Sequence, residues 1–366
     1  MFRRPMTRFA VAAAAAGAVC ALGASAAYAA PSTVGWSGPK GPVPGAITND
    51  TPAVSSITFP GTGGTGLIVG WRQRAVSGHI FYKYRASGIN KGKWSAKFEL
   101  PGSTAITSSA PVFRSYIDPY GRNAILATWT GHADHHIWFE QGETLANGTI
   151  NWTSPTVLPN SVQYTNTINA PAVQFTNVAY RVVVSWRGPA NHIRFAVGTP
   201  HHRTFVWSNS AIVPGPPVTS NCKTGPCTAD TPAVAEVQTN ATTGTLYFFW
   251  RQLGSTEVLY STTPDTAANL VKPVFTGPTQ VTGAATIEAP AASDSTLTGF
   301  GPLLLVYKTV ASTAVEYQTL TGTTWSAPAV IATVHTAVAP ALFQNVLATT
   351  KPSADGTVIF HTYSNS

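Results

Sequence analysis

Charge is scarce in this chain. Only 10% of its 366 residues are Asp, Glu, Lys or Arg, and no run of Lys or Arg occurs. The balance of 22 basic against 14 acidic residues is mildly basic, at +8. Without a basic stripe there is no footprint of specific nucleic-acid binding. Solubility and attraction to anionic cell-surface polymers account for the excess. Cysteine is nearly absent, with 3 in all. Helical periodicity is missing too, and almost nothing reads as an amphipathic helix. Beyond the N-terminal segment no stretch is long and apolar enough to span a bilayer.

What is present begins with a secretory signature. Arg3, Arg4 and Arg8 form a positive region, Phe9 to Ala27 is apolar and alanine-rich, and Ala27-Tyr28-Ala29 fits a small-residue cleavage site. Residues 1–29 are therefore expected to be a signal peptide cut near Ala29, and 30–366 a single secreted domain. Arg3-Arg4 raises a twin-arginine route, which Pro5 and Met6 fit poorly, so the export route stays open. Val19 before Cys20 fits a lipoprotein site poorly. Cleavage would take the charge from +8 to +5, since three arginines and no acid are lost. Cys222 and Cys227 remain, and their spacing in an oxidising compartment suits a disulfide closing a small loop.

The chain also repeats itself. Thr51-Pro52-Ala53-Val54 recurs as Ala110-Pro111-Val112, Ala170-Pro171-Ala172-Val173, Thr231-Pro232-Ala233-Val234, Ala289-Pro290-Ala291 and Ala339-Pro340-Ala341-Leu342. The prolines are 59, 60, 61, 58 and 50 residues apart. A period of this size marks a repeat architecture. After each proline comes a slim strand, then an apolar one such as Thr245-Leu246-Tyr247-Phe248-Phe249-Trp250. A third follows, such as His79-Ile80-Phe81-Tyr82, and then a Trp-Ser or Trp-Thr pair, as in Trp94-Ser95 and Trp152-Thr153. β-branched and aromatic residues dominate, with frequent turn signals. Four short antiparallel strands repeated six times describe an all-β fold, a six-bladed β-propeller. The tryptophans read as packing between blades. The last copy is short, with its second strand expected near Thr357 to Tyr363 and one strand lacking. The orphan Trp36-Ser37 is expected to join that blade and close the ring, with five blades plus an extension as the alternative.

The run Thr/Ala-Pro-Ala-Val, then a strand ending Trp-Arg, then Ile-x-Tyr/Phe, then Trp-Ser resembles the repeats of secreted bacterial lectin-like β-propellers. Trp186-Arg187-Gly188 matches their Trp-Lys-Gly. The resemblance implies a carbohydrate-binding propeller, since some members bind fucose or methylated sugars between blades. Sialidases share the six-bladed architecture, but no turn here carries their Ser-x-Asp-x-Gly-x-x-Trp box; Ser353-Ala354-Asp355-Gly356 is a fragment of it.

Propeller sites generally lie where the chain enters the inner strand and leaves the second. Two residues before each proline stand Asp50, Ser109, Asn169, Asp230, Glu288 and Val338. After the second strand come Arg72, Thr130, Arg187, Arg251, Lys308 and Thr362. The third strands open with His79, His136, His192, Glu257 and Ala314. The candidate ligand-binding set is Arg72, Arg187, Arg251, His79, His136, His192, Asp50, Asn169 and Asp230. The competing reading is a polar cap whose groups satisfy one another. A glycosidase needs two carboxylates at a set separation, and Asp50, Asp230, Glu257 and Glu288 are the candidates. His132-Ala133-Asp134-His135-His136 looks like a metal site, but ligands on a β-turn can point apart and no distant partner is signalled. No metal and no cofactor are expected. The function expected is binding of a glycan or cell-surface polymer by a monomer, with a glycoside hydrolase or lyase and an interaction scaffold as alternatives.

Overall fold

The computed structural model describes residues 35–364, apart from 38–39, 62–63, 75–77, 86–92, 102–105, 162–168, 216–224, 267–269, 295–300 and 354. These form six sheets, each of four or five strands joined in an antiparallel meander. Blade 1 runs Ala53–Thr58, Thr65–Arg72, Ile80–Arg85 and Phe98–Glu99 from the inside outwards. The later inner strands are Val112–Ile117, Ala172–Thr176, Ala233–Asn240, Ala291–Asp294 and Ala341–Phe343. Each begins just after its repeated proline, where a missing N–H costs no ladder bond. Inner strands of neighbouring blades converge on one another near the axis, so small residues are needed there. Ala53, Ala233 and Ala292 are accordingly buried.

The aromatic positions fill the wedges between blades. Trp71, Trp129, Trp186 and Trp250 stand one residue before the ends of the second strands of blades 1 to 4 and are among the largest fully buried side chains. Tyr307 replaces them in blade 5. The outer tryptophans each reach back to the preceding blade. Trp152 sits 5.7 Å from Tyr82, Trp207 5.3 Å from Phe139, Trp325 5.9 Å from Phe249, and Trp94 6.0 Å from Phe360 across the seam. In blade 4 the outer strand falls at Thr276–Ala285, and Phe275 takes the place of the tryptophan, 5.6 Å from Phe195. A ring burying roughly 150–250 Å² at ~25 cal/mol per Å² contributes about 4–6 kcal/mol of gross transfer free energy. That sum precedes the entropy of ordering the chain.

The Ser or Thr after each outer tryptophan has its own reason. Its N–H donates to a third-strand carbonyl: Ser95 to Tyr84 at 2.8 Å, Thr153 to Gln141 at 2.9 Å, Ser208 to Val197 at 2.8 Å and Ser326 to Thr319 at 2.9 Å. Its hydroxyl accepts the N–H of that same residue, at 3.1, 3.0, 3.0 and 3.0 Å. One residue thus holds both groups of the third strand where the outer strand ends.

The ring closes as expected from Trp36-Ser37. Gly35–Trp36 pairs with Thr357–Ser364 as the outer strand of blade 6. Ser37 repeats the N–H half of the clamp, donating to the Thr362 carbonyl at 2.8 Å, while its hydroxyl lies 2.6 Å from Thr362 Oγ1, and Trp36 packs 6.0 Å from Tyr317 of blade 5. The expectation that this blade lacks a strand is corrected. Val346–Thr350 is its second strand and Thr357–Ser364 its third. The two-residue turn Gln344-Asn345 joins Phe343 directly to Val346, with Gln344 at φ 51. No Gly, Pro or Asp marks that turn, and the two strands read as one. Thr362 is therefore a third-strand residue, not a member of the ring that follows the second strands.

Candidate functional site

Inner and second strands run antiparallel, so the chain enters the first and leaves the second on one face. That face carries the repeated polar positions, and the structure pairs them blade by blade. Asp50 holds Arg72 in an ion pair. Asp230 accepts from Arg251 Nε at 2.6 Å. Glu288 lies 3.5 Å from Lys308 Nζ, which also donates to the Ala337 carbonyl at 2.9 Å. Arg187 is buried, with its Nε on Asn191 Oδ1 at 2.9 Å and Nη1 on the Ala229 carbonyl at 2.6 Å. Thr130 Oγ1 donates to the Asn169 carbonyl of the next blade at 2.8 Å. The three arginines are thus spent on neighbours within their own or the adjacent blade, and do not converge on one ligand.

The remaining candidates are equally local. His79 Nδ1 lies 2.5 Å from Glu99, on an exposed rim. Glu257 accepts from Gln280 Nε2 at 3.3 Å. His192 Nδ1 lies 3.7 Å from Cys227 Sγ, and burial lowers its pKa. The proposed partner of Cys227, Cys222, lies outside the described residues. In the His132–His136 turn, Asp134 accepts from the His136 N–H at 3.1 Å and from Trp138 Nε1 at 3.0 Å, so its carboxylate organises the turn. Among the described residues no group of three His, Cys, Asp or Glu could hold a metal ion.

Below this face the six Pro-Ala/Val segments meet around the axis and leave a neck of only ≈ 120 Å³. The channel widens at its other end into a cavity of ≈ 350 Å³. Its walls come from the ends of the inner strands and the turns that follow them. This cavity lies opposite the face expected from sequence, where the repeated carboxylates and cations pair with one another.

Two turns shape the cavity rim. In the first, burial would raise the Asp118 pKa, but hydrogen bonds from the Arg122 and Tyr120 backbone and from the Arg122 guanidinium hold it below the ordinary value. Asp118 Oδ1 takes both N–H groups at 2.9 Å, and Oδ2 takes Arg122 Nη2 at 2.6 Å. The second turn, 177–180, rests on two buried carboxyls. Glu236 accepts from the Asn177 N–H at 2.7 Å, and Asp265 from the Ala179 N–H at 3.4 Å. Burial first, then Asp265, pushes the Glu236 carboxyl far above its usual range. The turn puts Tyr180 at φ 50 with its side chain 64% exposed on the rim.

The interior is polar without being strongly charged. Ser56, Thr58, Ser115, Gln174 and Asn177 supply hydroxyls and amides, and Phe175 and Phe343 supply apolar faces. Tyr116 stacks on Phe175 at 5.2 Å. Arg114 lines both neck and cavity, and Asp294 is the carboxylate of the lining. Burial lowers Arg114 to about 10, against the opposing effect of Asp294, so it stays charged at neutral pH.

No family model matches the chain. No curated protein matches it either. Solved structures do share its fold. An alpha-L-arabinanase of Penicillium chrysogenum, complexed with arabinobiose, is 9% identical with a TM-score of 0.57, over 90% of this chain and 96% of that one. A GH93 alpha-L-arabinofuranosidase of Fusarium graminearum, also with arabinobiose, is 11% identical with a TM-score of 0.55, over 85% and 92%. The SapL1 lectin in complex with alpha methyl fucoside is 11% identical with a TM-score of 0.55, over 87% and 95%. At these identities the likeness establishes the propeller fold, one shared by sugar-binding and sugar-cleaving proteins. It extends to neither the bacterial nor the sialidase-like part of the resemblance seen in the repeats.

Proposed function

We propose that this protein is a glycan-binding propeller and that the cavity at the wide end of its channel is the binding site. One observation carries the reading: hydroxyl and amide side chains and aromatic faces share one concave site of ≈ 350 Å³. Sugar hydroxyls need both donors and acceptors, and the apolar face of a sugar ring packs on an aromatic surface. The arabinobiose and fucoside complexes of fold neighbours support the same class of ligand. The hydrolase reading loses ground, because Asp50, Asp230 and Glu288 are each held by a cation within the blade framework. We further infer that the protein is exported and cut near Ala29, that Cys222 and Cys227 are paired, and that the chain is a monomer. Mass spectrometry of the secreted, unreduced protein tests the first two.

A glycan array followed by product analysis tests the function. Binding without release of sugar is expected, and Asp230→Asn and Glu257→Gln should leave binding unchanged. Turnover that either substitution abolishes would establish the hydrolase instead.

A further inference from the structure

The cavity floor holds a charge whose donors the protein leaves partly unmet. Arg114 is 8% exposed. Its Nε donates to the Val173 carbonyl at 2.8 Å, and its guanidinium carbon lies 4.9 Å from the centre of the Phe343 ring. Among the described residues no acceptor takes a hydrogen bond from either of its amino nitrogens. A buried cation is costly unless its donors are satisfied. The fold does not require it, since the same repeat position holds Ser55, Gln174, Ala235, Ser293 and Phe343 in the other blades. Asp294, on the inner strand of blade 5, also lines the cavity. It is near enough to favour the charge of Arg114.

A donor-only group and an acceptor-only group thus share one cavity. Formally they cancel. A carboxylate ligand would suit Arg114 and be repelled by Asp294; an amine would meet the reverse. A neutral polyol suits both, because each hydroxyl accepts and donates. Asp294 has other contacts, but a carboxylate offers about four lone-pair sites and can hold a ligand hydroxyl besides. Resting on the glycan-binding reading, we infer that the cavity selects neutral sugars, with Arg114 donating to ligand hydroxyl oxygens and Asp294 accepting a hydroxyl proton and turning acidic sugars away.

The test uses the purified chain on an array of neutral, uronate-containing and sialylated oligosaccharides. Calorimetry follows on the best neutral sugar and its carboxylate analogue. The neutral sugar should bind about tenfold tighter or more, the scale of one hydrogen bond to a charged group. Asp294→Asn should shrink or invert that ratio. Arg114→Met should weaken the neutral sugar by about tenfold or more, and Arg114→Lys serves if the methionine variant does not fold. Preference for acidic glycans, or a ratio unmoved by Asp294→Asn, would overturn the inference. Glycan binding untouched by all three changes would also overturn it while leaving the glycan-binding reading intact. Binding to no glycan at all would sink both.

Discussion

At the scale of single residues, the repeats showed framework and hid function. Positions that recur, the prolines, tryptophans and following serines, all proved to be packing or ladder devices. Arg114 sits at a position that varies among the six copies, so it is no part of the repeat signature. The signal is a cation at a repeat position whose counterparts, Ser55, Gln174, Ala235, Ser293 and Phe343, are uncharged. The acidic and basic positions did recur, and the structure shows why, since in blades 1, 4 and 5 they form an ion pair. Glu140 is a second residue that pattern alone cannot explain. It is 0% exposed, and neither carboxyl oxygen has a hydrogen-bond partner. Burial pushes its pKa up to about 8. The unfolded chain releases that proton near pH 4.3, whereas the folded one keeps it to about 8. Its share of stability is therefore full below about pH 4.3 and is lost as pH rises, by ~1.4 kcal/mol per pH unit across that window. Glu140→Gln should flatten this slope and raise the melting temperature at pH 8, both read from thermal melts between pH 5 and 8. A slope equal to that of the parent would show that Glu140 ionises freely.

At the scale of elements, strand type and order were legible because period-two patterns, prolines and aromatics agree with one another. Boundaries failed where turn chemistry was silent. Gln344-Asn345 turns the chain between two strands with neither Gly nor Pro, so the blade 6 hairpin was invisible in sequence. The cavity walls were invisible for a related reason. The 177–180 turn is fixed from outside by Glu236 and Asp265 of blade 4, a tertiary effect with no local signature. The outer strand Gly35–Trp36 was readable because it carries the blade signature out of order. Trp36 packs on Tyr363 at 5.2 Å as well as on Tyr317. Trp36→Ala should cost about 3 kcal/mol, near the low end for a buried tryptophan because Trp36 is only partly buried. Urea denaturation measures it, and a loss under about 1 kcal/mol would mean that the strand adds little to closure.

At the scale of the whole molecule, six similar blades enclose one dissimilar site. The cavity lies on the axis, and Arg114, Gln174, Asp294 and Phe343 reach it from four different blades. The proposed glycan site therefore predicts a single ligand per chain, although the fold repeats six times. Calorimetric stoichiometry near one is the expected result; a value near five or six would move binding to the seams between blades. The ring closure also sets an order of events in time. Ser37 and Thr362, which bond across the seam, are separated by 325 positions. Such a contact is slow to find, because the loop it closes is nearly the whole protein. While a chain is being made, Gly35–Trp36 has no partner until Thr357–Ser364 emerges. Any chain stalled before that point presents a ring with a gap and bare strand edges on either side, open to strand addition by a second stalled copy.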